Sequence, residues 1–160
     1  MTYSTREVMQ KAKVSARELQ WWDEQGVLPS VIVQSKHSRQ FTPLQLVQMA
    51  IVKEMRRHGI ALSKIRYALR TKGLGRVIAG SLPDENGFYS KSQDFYMLTN
   101  GNRLYRIAQS PEDVVSYLRY AKGPMHCLSI HTIVQQVLPT TQAMVDTFNM
   151  ATRKLHEAEK

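Results

Sequence analysis

The chain has a single cysteine, Cys127, in 160 residues. One thiol closes no internal disulfide and supplies no thiolate cluster, which excludes a disulfide-stapled secreted fold and argues against a structural zinc. No run of eighteen apolar residues occurs, and the opening MTYSTREVMQ lacks the apolar centre of a secretory signal. The expectation is a cytoplasmic, nucleoid-associated protein with no membrane partner. Catalytic signatures are missing too: there is no Walker phosphate loop, no GxGxxG, no GxSxG and no HExxH. Gly73-Leu74-Gly75 has neither the third glycine nor the preceding strand of a phosphate-binding turn. The nearest approach to a reactive or ligating set is His126, Cys127 and His131. Strand parity sets His126 on the face opposite both others, so the reading is a packed thiol between half-exposed histidines. Neither an enzyme nor a cofactor nor a metal site is expected.

Acidic residues are scarce in one half only. Residues 1–80 hold 14 Lys and Arg against 5 Asp and Glu, whereas residues 81–160 hold 8 of each, so the whole net charge of +9 sits in the first half. A merely solubilising charge would not segregate in this way, but a polyanion-binding module joined to a neutral unit would. Nucleic acid is favoured over an anionic membrane because the basic half contains no long basic amphipathic helix with bulky apolar residues.

Within that half, Ser4 with Glu7 forms a capping-box pattern that starts a helix at Thr5 and carries it to about Ala12, with Val8 and Met9 inward. After a turn at Lys13 and Val14, Ser15 with Glu18 repeats the pattern, and Gly26 and Pro29 mark the end. Leu19 and Trp22 share one face of this second helix, Val14 and Val27 flank it, and Arg17, Gln20, Trp21 and Glu24 lie elsewhere. Two short helices so arranged are a helix-turn-helix candidate, with a helical hairpin as the alternative. Val31 to Val33 and Arg39 to Phe41 then suit a small hairpin whose charged tip carries Lys36, His37 and Arg39, as a phosphate-holding wing requires. Thr42-Pro43 opens a third helix to His58 with Leu44, Val47, Ala50, Ile51 and Met55 on one stripe, and Ser63 starts a fourth with Ile65 and Leu69 inward. Arg56 and Arg57, off the stripe, are candidate phosphate contacts or simply a solvated face.

These motifs, in this order, resemble the DNA-binding domain of the MerR family of bacterial transcription regulators over residues 3 to about 70. Val14-Ser15-x-Arg17-x-Leu19-x-Trp21-Trp22-Asp23-x-x-Gly26-Val27-Leu28-Pro29 matches the family's recognition segment. Arg39-Gln40-Phe41-Thr42 matches its wing, and Arg56-Arg57-His58-Gly59-Ile60-x-Leu62-x-x-Ile65 matches the entry to its fourth helix. The resemblance implies a four-helix winged helix-turn-helix with a small β wing, double-stranded DNA as ligand, and a homodimer at a two-fold-related site. Two positions depart from the pattern. Gln20 replaces an arginine, leaving an amide that can pair with adenine N6 and N7. Trp21-Trp22 replaces a tyrosine pair and removes two hydroxyls, and at least one Trp is expected to be buried.

Beyond residue 72 the family's long helix is missing, because Gly73, Gly75, Gly80, Pro83 and Gly87 interrupt the chain, and residues 73–93 read as an irregular linker. Residues 94–139 read as a small α+β domain in β-β-α-β-α order. Asn100-Gly101 joins strands over 95–99 and 102–107, and a Ser110-Pro111-Glu112-Asp113 capping box opens a helix with Val114, Val115, Leu118 and Tyr117 inward. Met125 to Ile130 suits a third strand and His131 to Leu138 a short helix. Tyr89, Tyr96, Tyr105, Tyr117 and Tyr120 could line a pocket or simply pack, and no small-molecule effector is identified. Residues 140–160 read as a C-terminal helix with Met144, Phe148, Ala151 and Leu155 on a narrow stripe, suited to dimerisation or to folding back.

The reading is a sequence-specific DNA-binding regulator of the MerR-like type. Ser15, Arg17, Gln20 and Trp21 approach the groove, Lys36, His37 and Arg39 act from the wing, and Arg56 and Arg57 meet phosphates. The alternative is a protein-interaction module, antitoxin-like or an assembly factor, that binds a protein through residues 94–160 and whose basic half only localises it to DNA.

Overall fold

The computed structural model describes residues 2–27, 32–35, 38–71, 73–83, 95–102 and 104–139. Leu28, Pro29, Val31, Lys36 and His37 of the expected wing tip, residues 84–93 of the expected linker with Tyr89, and the expected C-terminal helix lie outside the described residues.

The N-terminal half is organised by reciprocal caps. Helices α1 (Thr5–Lys11), α2 (Ala16–Glu24) and α3 (Pro43–Arg57) each open on a complete capping box: Ser4 with Glu7, Ser15 with Glu18, and Thr42 with Gln45. Each cap satisfies amides that the helix cannot, a contribution of about 0.5–2 kcal/mol. Strand β1 (Tyr3–Ser4) pairs antiparallel with β3 (Ser38–Phe41), which also pairs with β2 (Ile32–Ser35), so the expected hairpin gains a third strand from the N-terminus. Helix α4 (Leu62–Thr71) starts one residue before Ser63, with the Ala61 carbonyl accepting the Lys64 and Ile65 amides.

Two expectations fail here. A helix, α5 (Leu74–Gly80), occupies residues read as irregular linker. Gly73 acts as its entry, at φ 68°, and Leu74 and Ile78, one turn apart, are buried. Glycine's permissive backbone thus starts this helix where the sequence suggested a break. The single apolar stripe expected on α3 is also too narrow. All residues from Gln45 to Val52 are buried, because α5 and α7 pack on α3 in addition to the helix-turn-helix.

The C-terminal unit has the expected β-β-α-β-α order: β4 (Tyr96–Thr99), β5 (Tyr105–Ala108), α6 (Pro111–Arg119), β6 (His126–Ser129) and α7 (Ile130–Val137). Its sheet runs β5-β4-β6, antiparallel throughout. The connection around Gly101 (φ 75°) is longer than the two residues expected. The Asn100 side chain accepts the Asn102 and Leu104 amides, so the second strand begins only at Tyr105. Met97, Tyr105 and Leu128 join the cluster centred on α3, while Leu98 and Ala108 are buried on the face that α6 crosses. The core is therefore continuous between the two halves.

Helix α6 differs most from expectation. None of its residues is buried, and Val115, Tyr117 and Leu118 are exposed: among the described residues the helix rests chiefly on the short strands β4 and β5, which reach no further than the half-buried Val114. Its cap is offset as well: Ser110 Oγ accepts the Asp113 amide, but Asp113 Oδ2 accepts from Gln109 in place of Ser110. Cys127 is exposed on the edge strand β6 and not packed. Among the described residues, no helix is long and apolar enough to cross a membrane.

Candidate nucleic-acid interface

Helix α2 is anchored at both ends and along one side. At its start, Glu18 Oε2 accepts the Ser15 amide at 2.9 Å, and the Glu18 amide donates to Ser15 Oγ at 3.2 Å. The other carboxylate oxygen accepts from Lys53 Nζ on α3 at 2.7 Å. Burial pushes the Glu18 carboxyl up, but the hydrogen bonds from Lys53 and Ser15 outweigh it and hold the group below the ordinary carboxylate range.

At the far end, Gly26 takes a left-handed conformation (φ 61°), with its amide donating to Asp23 O and the Val27 amide to Trp22 O. This is the Schellman arrangement, and Val27 is buried with Trp22 as that motif favours. Two arginines of α4, one turn apart, finish the cap. Arg66 donates to Gln25 O at 2.9 Å and Arg70 to Gly26 O at 2.8 Å. They satisfy carbonyls that the helix leaves open and put positive charge at the negative end of its dipole.

The inner face carries Leu19 and Trp22, the latter 1% exposed, while Trp21 is 42% exposed. The tryptophans thus divide as adjacent helical positions must, one in the core and one outside. Ser15, Arg17, Gln20, Trp21 and Glu24 line a shallow outer groove of about 530 Å³. Arg17 is exposed, and Gln20 Nε2 donates to Glu24 Oε1 at 2.9 Å along the helix.

The remaining candidates are placed differently. Arg39 on β3 donates to Asp23 Oδ2 at 3.0 Å, so the wing strand is tied to α2 through an exposed ion pair. The Arg56 guanidinium lies 5.8 Å over the Trp21 ring and donates to Ile60 O, which joins it to the groove. Arg57 pairs with Glu54 at 2.6 Å and lies outside that groove. The described tyrosines of that set are placed apart: Tyr105 is buried with its hydroxyl donating to Lys64 O, whereas Tyr117 and Tyr120 are exposed on or beside α6. Asp23, Lys53, Arg66 and Arg70 were not anticipated. Their partners lie 16 to 44 residues away in the chain, and no local pattern announces them.

A capped helix with an exposed polar face, a hairpin tied beside it and a basic surround is the arrangement of a DNA reader. Residues 3–72 match the model of the MerR HTH family regulatory protein. This segment is a MerR-type helix-turn-helix domain. At the level of that family, the MerR-type domain is a DNA-binding module of transcription regulation. No curated protein matches the chain closely enough to count as a relative.

Proposed function

We propose that the protein regulates transcription by binding duplex DNA sequence-specifically, with α2 of the MerR-type domain in a major groove. The observation that carries this reading is the anchoring of α2. Its start is held by Lys53, its end by Arg66 and Arg70 and its inner face by the core, leaving Ser15, Arg17, Gln20 and Trp21 outward. A reading helix must be immobile at both ends for its side chains to discriminate bases. Arg17 reads a base edge or holds a nearby phosphate, Gln20 offers an amide, and Trp21 under Arg56 packs against sugar. In this reading Lys36, His37 and Arg39 steady the DNA backbone. Arg57 would meet phosphate only outside the α2 groove. A gel-shift titration against genomic fragments tests this, with a competitor-resistant complex at moderate salt as the expected result. Arg17→Ala should weaken that complex by about 1–3 kcal/mol, and unchanged affinity would remove Arg17 from the interface.

A second reading, protein contact through the C-terminal unit, is favoured by the outer face of α6, where Val115 is 58% and Tyr120 78% exposed. Its occupant is a second copy of the chain, since a dimer gives the reading helix the two-fold symmetry of a palindromic site. Sedimentation equilibrium should show a dimer that Leu118→Asp converts to monomer, and a monomeric wild type would refute it.

A further inference from the structure

A cleft of about 660 Å³ opens between the MerR-type domain and the C-terminal unit, bounded by the end of α1 and by α3 on one side and by β6 and α7 on the other. Small-molecule sites typically measure about 300–1,000 Å³. The floor is apolar: Ala50, Leu128, Ile133 and Val137 line it and are otherwise buried. Among the described residues the rim is cationic, with Lys11, Lys13, Lys53 and Arg57 against one carboxylate, that of Glu54. That carboxylate is occupied by Arg57, and Lys53 is shared with Glu18. Lys13, held in a left-handed backbone at φ 54°, forms no ion pair among the described residues. Among the described residues the cleft therefore combines an excess of positive charge with an apolar floor, and Gln136 adds an amide at its edge.

We infer that this cleft binds a small amphipathic anion, a carboxylate on an apolar body, and that Lys53 couples its occupancy to the reading helix. A bare inorganic anion would leave the floor wet, and a neutral apolar molecule would leave the rim unpaired. A carboxylate with a hydrocarbon body satisfies both. The ammonium that a bound carboxylate would draw on is the same one that fixes Glu18, and Glu18 completes the N-terminal cap of α2. Ligand binding thus redistributes the Lys53–Glu18 contact that ties the start of the reading helix to α3. By linkage, whatever the ligand does to DNA affinity, DNA does to ligand affinity. The coupling, though not the binding, rests on the DNA reading proposed above.

The test is isothermal titration of the full chain with octanoate, octanamide and inorganic phosphate. No DNA is present, so this result stands or falls independently of duplex binding. Octanoate should give saturable one-to-one heat, while octanamide, lacking the charge, and phosphate, lacking the apolar body, should each bind at least about tenfold more weakly. Lys13→Asn, which suits the left-handed backbone, should weaken octanoate binding about three- to tenfold. Gln136→Trp, at an exposed position, should fill the cleft and abolish binding with the unfolding profile unchanged. The proposal is overturned by the absence of saturable heat to about 10 mM octanoate, by equal affinity for octanamide, or by indifference to Gln136→Trp. It is also overturned if an arbitrary duplex displaces octanoate while Lys13→Asn weakens both, since the cleft would then hold the DNA backbone.

Discussion

Replacing Glu18 should separate two contributions that the structure superimposes on one side chain. Its carboxylate closes the cap at Ser15 and also accepts the Lys53 ammonium at 2.7 Å. Glu18→Gln keeps a group able to complete the capping box and removes only the ion pair. That pair is about one-third exposed on both sides, so the expected loss is about 0.2–1 kcal/mol. Glu18→Ala removes the reciprocal cap as well, for a total of about 1–2 kcal/mol. For a chain of this length each kcal/mol lowers Tm by about 2–4 °C. Urea titration at pH 7 measures both variants, and a cycle with Lys53→Met isolates the pair. The pH dependence has a definite sign. The folded carboxyl is held below its ordinary value of 4.5, so its contribution is present above that value and is lost as pH falls through the folded pKa. The gap between wild type and Glu18→Gln should therefore close in acid. A gap that persists undiminished at about pH 3, or a cycle without coupling, would refute the electrostatic account. Glu18→Ala at wild-type stability would refute the cap account as well.

Trp22→Ala should cost about 3–5 kcal/mol and leave much of the chain unfolded by circular dichroism. Trp21→Ala should change stability by less than about 1 kcal/mol yet weaken duplex binding in the gel shift, and the reverse pattern would exchange the roles assigned to the two rings. Gly26→Ala should destabilise by about 1 kcal/mol in urea, because a β-carbon at φ 61° is strained and would sit 3.4 Å from Arg70 Nη2.

What was legible in the sequence was whatever local chemistry writes. Ser4 and Ser15 marked two helix starts through hydrogen bonds that span three residues, whose hydroxyls and carboxylates are recognisable one by one, and Thr42-Pro43 marked a third through the proline at its first position. Val14, Leu19 and Trp22 were readable as core from helical spacing. The rest was decided by partners remote in the chain. The stripe on α6 has the spacing of a buried face, but how much of it is covered depends on how far a three-stranded sheet extends beneath it, and helical periodicity cannot express that. Helix α5 was hidden because Gly73 and Gly80 look like breakers, while the burial of Leu74 and Ile78 is supplied by the fold around them. At the interface the exposed face of α2 could be read from the chain, but its clamps could not. Arg66 and Arg70 look like solvent-facing charges until α4 is set beside the carbonyls of Gln25 and Gly26.

The wrapping of α3 limits how this reader can be reused. In many regulators the DNA-reading head is a cassette that can be cut out and grafted onto another sensor. Here Leu46 to Val52 form the middle of a helix covered on one side by the helix-turn-helix and on others by α5 and α7. A fragment ending at residue 72 would present that apolar surface to water and would need a substitute lid before it could stand alone. The chain should melt as one cooperative unit, and a working chimera would have to carry α7 along with the head.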